Sequence, residues 1–502
     1  MTDFTRRGLL AASVAATAAA QFPRMGMGQT PKTGPTTRLA ATSRVLDING
    51  RAATVWGLEG PSGQGLTLDP GQRFRVDLTN DLPDPTLIHW HGQIPPNKQD
   101  GVPDMPMPAL KPGETRSYDY AALPGTFWMH AHIPMQEMRL LAAPLIVRSE
   151  EDLAADRQEV VMFLHDFAFK SPAEVLEEIA GGHARNGGHH GGMPMEEQPP
   201  MSGMDHGRME VPGTAAKEEH DMPMQGMNMQ DMDLNDYDWD AYLANDRTLS
   251  DPELVRVERD GRVRLRVINA SAATVFWIDT GEIEASLVAV DGHAVEPVTG
   301  SRFGLAMGQR LDLDLDLSGA GVWPVLALRE GARERTGLIL ATSEARVTKL
   351  DMLAAEAAPA FDVDLAQETR LVALAPLPAR KVDRNHMLML GGSMQPYRWT
   401  ISGKTWGEHI PVEAQSGERV EITFHNMSMM GHPMHLHGHV FQVVEINGQR
   451  ISGARRDTVY VPPMAMVTVA LDAGEAARWM LHCHHMPHLE TGMMTEFAVA
   501  SA

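Results

Sequence analysis

The sequence predicts an all-β protein: three β-sandwiches of one type in a row, with a segment that builds no core let into the second. Three observations carry this. Stretches such as "VDLTNDLPDPTLIHW" and "TFWMHAH" are short and apolar or alternating, and Pro70-Gly71, Pro112-Gly113 and Pro124-Gly125 punctuate them. Strands with turn signals at roughly 8–12-residue spacing mean sandwiches or barrels. The phrases "GQRFRVDLTN", "GRVRLRVINA" and "GERVEITFHN" sit at similar places in three successive blocks, each with a glycine turn, an Arg, alternating apolar residues and an Asn. That is a threefold internal repeat. Residues 181–232, by contrast, contain almost no Val, Ile, Leu or aromatic residue.

The elements follow in chain order. Residues 1–37 read as an export signal and linker. Arg6-Arg7 precedes an apolar run to about Ala20, ending in Ala18, Ala19 and Ala20. The run is too short to span a bilayer, and the small residues make a cleavage site. A twin-arginine signal is expected, hence a periplasmic protein with no stable membrane anchor. Residues 38–150 form the first sandwich, 151–350 the second and 351–502 the third. The 502 residues are too many for one core. The formal charge of -22 argues against nucleic acid as a partner. A single cysteine excludes an intramolecular disulfide. A monomer is expected.

The segment "GGHARNGGHHGGMPMEEQPPMSGMDHGRMEVPGTAAKEEHDMPMQGMNMQDM" cannot bury a core and should be disordered, or ordered only by a ligand. It holds ten of the 34 methionines. Others, Met427, Met429, Met430 and Met434, crowd the third block around His432. Methionine fills cores, but this segment has no core to fill. Thioether is a soft ligand that selects cuprous copper.

Four stretches carry the chemistry: "HWHG" with His89 and His91, "HAH" with His130 and His132, "HPMHLHGH" with His432, His435, His437 and His439, and "HCHHMPHLETGM" with His482, Cys483, His484, His485, His488 and Met493. On a strand, residues i and i+2 point to one face, so each H-x-H pair can reach into one site. Imidazole suits zinc, copper, iron and nickel, but one thiol, two imidazoles and a weak axial thioether make a blue-copper ligand set. Cys483, His488 and Met493 share one turn-containing segment, and His432 can complete the set from a neighbouring strand. On an extended chain His482 and His484 point away from Cys483. The thiolate then bridges a blue copper on one side and a second metal cluster on the other.

These motifs, in this order, resemble the multicopper oxidases, over about residues 40–502 apart from the Met-rich segment. The resemblance implies three cupredoxin-like Greek-key domains and four copper ions. It implies one-electron oxidation at a type 1 copper and reduction of dioxygen to water at a trinuclear cluster. Its type 1 ligands would be His432, Cys483, His488 and Met493. The type 2 copper would take His89 and His435, and the type 3 pair His91, His130, His132, His437, His482 and His484. The second domain would supply no ligand and act as a spacer. Asp100 matches a carboxylate that relatives use near the cluster for proton supply, with Glu490 as a weaker second candidate. His485 stands where many relatives have an aliphatic residue; it is expected off the cluster face, free to be exposed, as a non-ligand. Ser428 replaces an acid four positions before His432.

The expected donor is cuprous ion, with small phenols as further donors and copper detoxification as the purpose. Two alternatives stand beside it. One is a laccase for phenols and aromatic amines, separable by comparing both donors with and without the Met-rich segment. The other is a non-catalytic copper-binding protein, which would consume no dioxygen.

Overall fold

Three strands, Phe74–Asn80, Arg262–Asn269 and Arg419–Asn426, hold the same place in three β-sandwiches. The structure, a computed structural model, describes residues 36–181 and 234–502. Each of the three strands runs parallel to one neighbour and antiparallel to the other. The parallel neighbours are Thr37–Ile48, Gln158–Phe167 and Arg384–Met394. The antiparallel ones are Thr115–Tyr120, Arg310–Asp316 and Met466–Asp472. A strand paired on both sides in opposite senses requires crossovers between sheets, as in Greek keys.

Each of these strands ends in a buried asparagine with the same task. Asn80 Nδ2 donates to Asp84 O and Leu110 O, both at 2.9 Å, and its Oδ1 accepts from Leu82 N. Asn269 donates to Thr274 O and Leu305 O and accepts from Ser271 N. Asn426 donates to Met430 O, Val461 O and Pro462 O and accepts from Ser428 N. A buried amide so satisfied fixes the loop that follows it. The Asn common to the three repeat phrases thus pins a crossover into the second sheet.

That crossover leads to the strand that matters. In the first sandwich it is Ile88–His91, in the second Phe276–Asp279, in the third His432–Leu436. Histidines occupy it in the first and third only. Neighbouring strands add more: His89 stands opposite His130 in Gly125–Ala131, and His435 opposite His482 in Arg478–Cys483. Between His89 and His91, Trp90 points the other way into the first core, against Phe74 at 4.7 Å. Burying such a ring contributes about 1.5–3 kcal/mol, which anchors the histidine-bearing strand from behind.

The second sandwich has a six-stranded and a five-stranded sheet. Pro172–Gly181 forms a helix whose Val175 and Ile179 join the core that the second and third sandwiches share. The Met-rich segment and the export signal lie outside the described residues, apart from Gly181, Thr36 and Thr37. No described helix is long and apolar enough to cross a membrane.

Candidate metal centres

Eight buried imidazoles from the first and third sandwiches converge. His132, His437 and His482 turn their Nε2 atoms on one point, at mutual distances of 3.1, 3.1 and 3.4 Å. His91 Nδ1 lies 3.4 Å from His130 Nε2, with the His484 ring 5.0 and 5.1 Å from theirs. Both ring nitrogens of His484 are buried without a hydrogen-bond partner. His89 Nε2 and His435 Nε2 face each other at 3.3 Å. The rings therefore sort into two sets of three and one pair.

Burial, reinforced by neighbouring rings, holds the pKa values of His130, His132, His437, His482 and His484 well below the ordinary imidazole range. Burial lowers His91 and His435 too, against the pull of Asp457. Neutral imidazole is the ligating form. A metal ion fits here because lone pairs face lone pairs and buried nitrogens lack donors.

The outward nitrogens are held by oxygens, which fixes tautomer and ring orientation. His89 Nδ1 donates to Asp100 O at 2.8 Å, and His437 Nδ1 to Asp100 Oδ2 at 2.8 Å. His435 Nδ1 donates to Asp457 O at 2.9 Å, and His91 Nε2 lies 3.0 Å from Asp457 Oδ1. Asp100, read from sequence as a proton donor, is thus placed to position two rings. A second carboxylate lies on the opposite side. Glu137, in the short helix Pro134–Glu137, sits with Oε2 2.6 Å from His130 Nδ1 and Oε1 4.0 Å from His484 Nδ1. Burial pushes its pKa well up, and Asp166 adds to the shift.

Cys483 lies on the far side of its strand. Its Sγ is 3.7 Å from His488 Nδ1 and 3.8 Å from His432 Nδ1, and those nitrogens are 3.2 Å apart. Cys483 N donates to Met493 O and Met493 N to His488 O, so the fully buried Met493 is tied to the same corner. Burial pushes the thiol far up, so the thiolate needs a cation beside it. One thiol, two imidazoles and an adjacent thioether suit copper. Meanwhile His482 Nδ1 donates to Cys483 O at 3.0 Å, joining the two sites through one residue.

The second domain is more than a spacer. It contributes Asp236, whose Oδ2 lies 3.4 Å from His488 Nε2 and 3.6 Å from His485 Nε2, and which accepts from the Tyr397 hydroxyl. Burial alone would raise this carboxyl. The His488 ring, the charge of His485 and the tyrosine hold it below the ordinary range. His485, expected off the cluster face and free to be exposed, is buried instead, stacked on His488 with ring centres 3.8 Å apart. It fills the space between His488 and the second domain. Ser428, the non-acidic substitution, places Oγ 2.8 Å from His432 Nε2. Glu490 is exposed at the surface, with its pKa raised by partial desolvation.

Glu137, Asp236 and Asp457 escape a reading of the sequence. Glu137 follows "HAH" by five residues, a spacing that becomes meaningful only once a helix turns it back. Asp236 is one of several acids in "MDLNDYDWD", and Asp457 one of many Asp in turns.

A buried imidazole cluster joined through one residue to a cysteine–histidine site defines a copper redox protein. Multicopper oxidase family models match residues 40–152, 161–345 and 380–502. The chain belongs to the multicopper oxidase family, oxidoreductases that use dioxygen and copper. It is 28% identical to multicopper oxidase MmcO of Mycobacterium tuberculosis, over 98% of this chain and 96% of that one. It is 25% identical to copper resistance protein A of Escherichia coli, over 88% of each. Fet3p, a multicopper oxidase that functions in iron import, superposes over 92% of this chain and 90% of its own, with a TM-score of 0.72 at 15% identity, a likeness of fold.

Proposed function

We propose that the protein is a cuprous oxidase of the copper-tolerance kind, with four coppers in three domains at about 38–150, 151–350 and 351–502. His432, Cys483, His488 and Met493 would hold the type 1 copper. His89 and His435 would hold the type 2 copper, and His91, His130 and His484 with His132, His437 and His482 the type 3 pair. When bound, these coppers supply one-electron oxidation at the type 1 position and reduction of dioxygen to water at the cluster.

The chain's own groups do the rest. Asp100 and Asp457 aim the imidazoles at the cluster through their outer nitrogens. Glu137, buried with its pKa raised, stands beside His130 Nδ1, where it would hold or pass a proton, and water formation consumes protons. Cys483 carries the electron from one site toward His482 and His484 through its own backbone. Asp236 Oδ2 faces the outer nitrogen of His488 at 3.4 Å, and Ser428 Oγ accepts from that of His432, so both type 1 imidazoles are held from behind.

Methionine is the observation that carries the donor: 34 in the chain, ten in one core-less segment, and Met427 and Met429 exposed beside His432. The likeness to copper resistance protein A supports the same reading. Export to the periplasm by the twin-arginine route rests on Arg6-Arg7 and the apolar run, which lie outside the described residues. Oxygen uptake by the copper-loaded protein, with cuprous ion and with a phenol as donors, tests the proposal. Cuprous ion should be turned over with the higher kcat/KM; a strong preference for the phenol makes the protein a laccase. Absence of uptake with either makes it a copper carrier.

A further inference from the structure

Strands Arg384–Met394, Arg419–Asn426 and Met466–Asp472 lie side by side in the outer sheet of the third sandwich. In the register Met389 stands opposite His425, and His425 opposite Met466. All three are half-buried while their strand neighbours Leu388, Leu390, Phe424, Asn426 and Val467 are buried, so the three share the solvent side. The next row on the same face is more covered, with Thr468 buried. Thr423 stands opposite Thr468, and their hydroxyls touch at 2.9 Å. We propose that Met389, His425 and Met466 form a cuprous-ion binding site on this face, separate from the type 1 centre, which captures the ion before its oxidation.

Strands in a sheet are roughly 4.8 Å apart, so the two thioether arms flank one imidazole within the reach of their flexible chains. Two thioethers and an imidazole are neutral and soft, which suits cuprous ion and disfavours calcium, magnesium and manganese. Filling of the sandwich core does not account for these methionines, because they lie on the face turned away from it. Solvent-facing strand positions ordinarily carry polar residues. Here Met387 is 59% exposed, and Met427 and Met464 each 56%, so further thioethers border the row.

The position suits delivery. Asn426, the residue after His425, pins the loop of residues 427–431, and Ser428 in that loop touches His432 Nε2. The row is thus linked in chain to the type 1 site by a pinned loop of a few residues, and an ion handed on from it would give one electron to the type 1 centre and leave as cupric ion.

The site itself does not depend on the cuprous-oxidase reading; its delivery role does. The test uses the full-length copper-loaded enzyme, fully reduced and anaerobic, with cuprous ion buffered by a chromophoric chelator. The variant Met389→Leu/His425→Ala/Met466→Leu should bind one cuprous equivalent fewer than wild type. Met352→Leu, at an exposed position elsewhere, should not change the stoichiometry. In aerobic turnover the triple variant should show KM for cuprous ion raised about three- to tenfold, with kcat and phenol oxidation unchanged. Blue absorbance equal to wild type shows that the fold and type 1 centre are intact. Equal cuprous stoichiometry in variant and wild type overturns the site. A lost equivalent with unchanged KM overturns the delivery role. A wild-type enzyme that does not oxidise cuprous ion overturns the proposed function and leaves the binding measurement to decide the site.

Discussion

Arg310 grips Asp457 with both ends of its guanidinium, Nη1 2.7 Å from Oδ1 and Nη2 2.5 Å from Oδ2. Arg310 belongs to the second sandwich, and Asp457 carries His91 and His435. Burial alone would raise the Asp457 carboxyl, but Arg310 keeps it well below the ordinary range. Arg310→Met takes the guanidinium counter-ion from a fully buried carboxylate, at a cost of up to about 3–5 kcal/mol. The expected result is a lower melting temperature and copper lost from the cluster at about 10–100-fold lower chelator concentration. Copper per chain after dialysis against graded chelator measures it, and type 1 blue absorbance should be the last signal to go.

Cys483 is the only thiol in the chain and the link between the two sites. Cys483→Ser should abolish the intense blue absorption and nearly all turnover, while the eight cluster imidazoles keep their copper. Visible and paramagnetic resonance spectra check this. A variant that stays blue removes the type 1 assignment.

Glu137→Gln keeps the size and the acceptor toward His130 but removes the acidic proton. Reoxidation of the reduced enzyme by dioxygen should slow by about 10²–10³-fold, with donor oxidation little changed. Asp100→Asn should act differently: it weakens the hold on His437, so copper retention should fall along with the rate. Rapid mixing with dioxygen and copper analysis of both variants separate proton supply from positioning. Equal reoxidation rates in wild type and Glu137→Gln remove the proton-supply role.

Much of this architecture was legible in the residues because it is local. H-x-H pairs put two rings on one face whatever the fold, and the terminal Asn of each repeat phrase marks a pinned crossover. Cys483 between His482 and His484 states its two-sidedness in the chain itself. What escaped is what the tertiary fold brings from afar. Asp236 and Arg310 reach His488 and Asp457 across a domain contact, so no spacing encodes them. The burial of His485 was hidden for the same reason: its place off the cluster face follows from the strand, but what covers it comes from the second sandwich.

Glu330 is buried, with Oε1 accepting from Phe361 N at 2.6 Å. Burial raises its pKa from 4.5 to about 7, opposed in part by that hydrogen bond. A carboxyl raised in the folded state destabilises where it must ionise. The cost is absent below about pH 4.5, grows as pH rises, and is full above about pH 7. At about 1.4 kcal/mol per unit it reaches about 2–4 kcal/mol. Glu330→Gln keeps the acceptor and removes the charge. Its urea midpoint should exceed that of wild type at pH 8 and match it at pH 4.5.

Deleting residues 183–232 tests the Met-rich segment. It holds none of the proposed copper ligands and too few large apolar residues to support a core. The fold, the blue colour and phenol oxidation should therefore survive. Its methionines, with His189, His190, His206 and His220, offer soft and borderline ligands, and Asp205, Glu218, Glu219 and Asp221 attract cations. Its chain attachment also matters: Asp236, three residues beyond the last undescribed position, touches His488. A tethered copper-binding segment raises local ion concentration and makes capture effectively intramolecular. Loss of the segment should then raise KM for cuprous ion more than it lowers kcat, most visibly at low buffered copper. Steady-state oxygen uptake against buffered cuprous ion decides. Unchanged cuprous kinetics reduce the segment to a linker, and a sharp rise in phenol oxidation makes it a cover over the type 1 side.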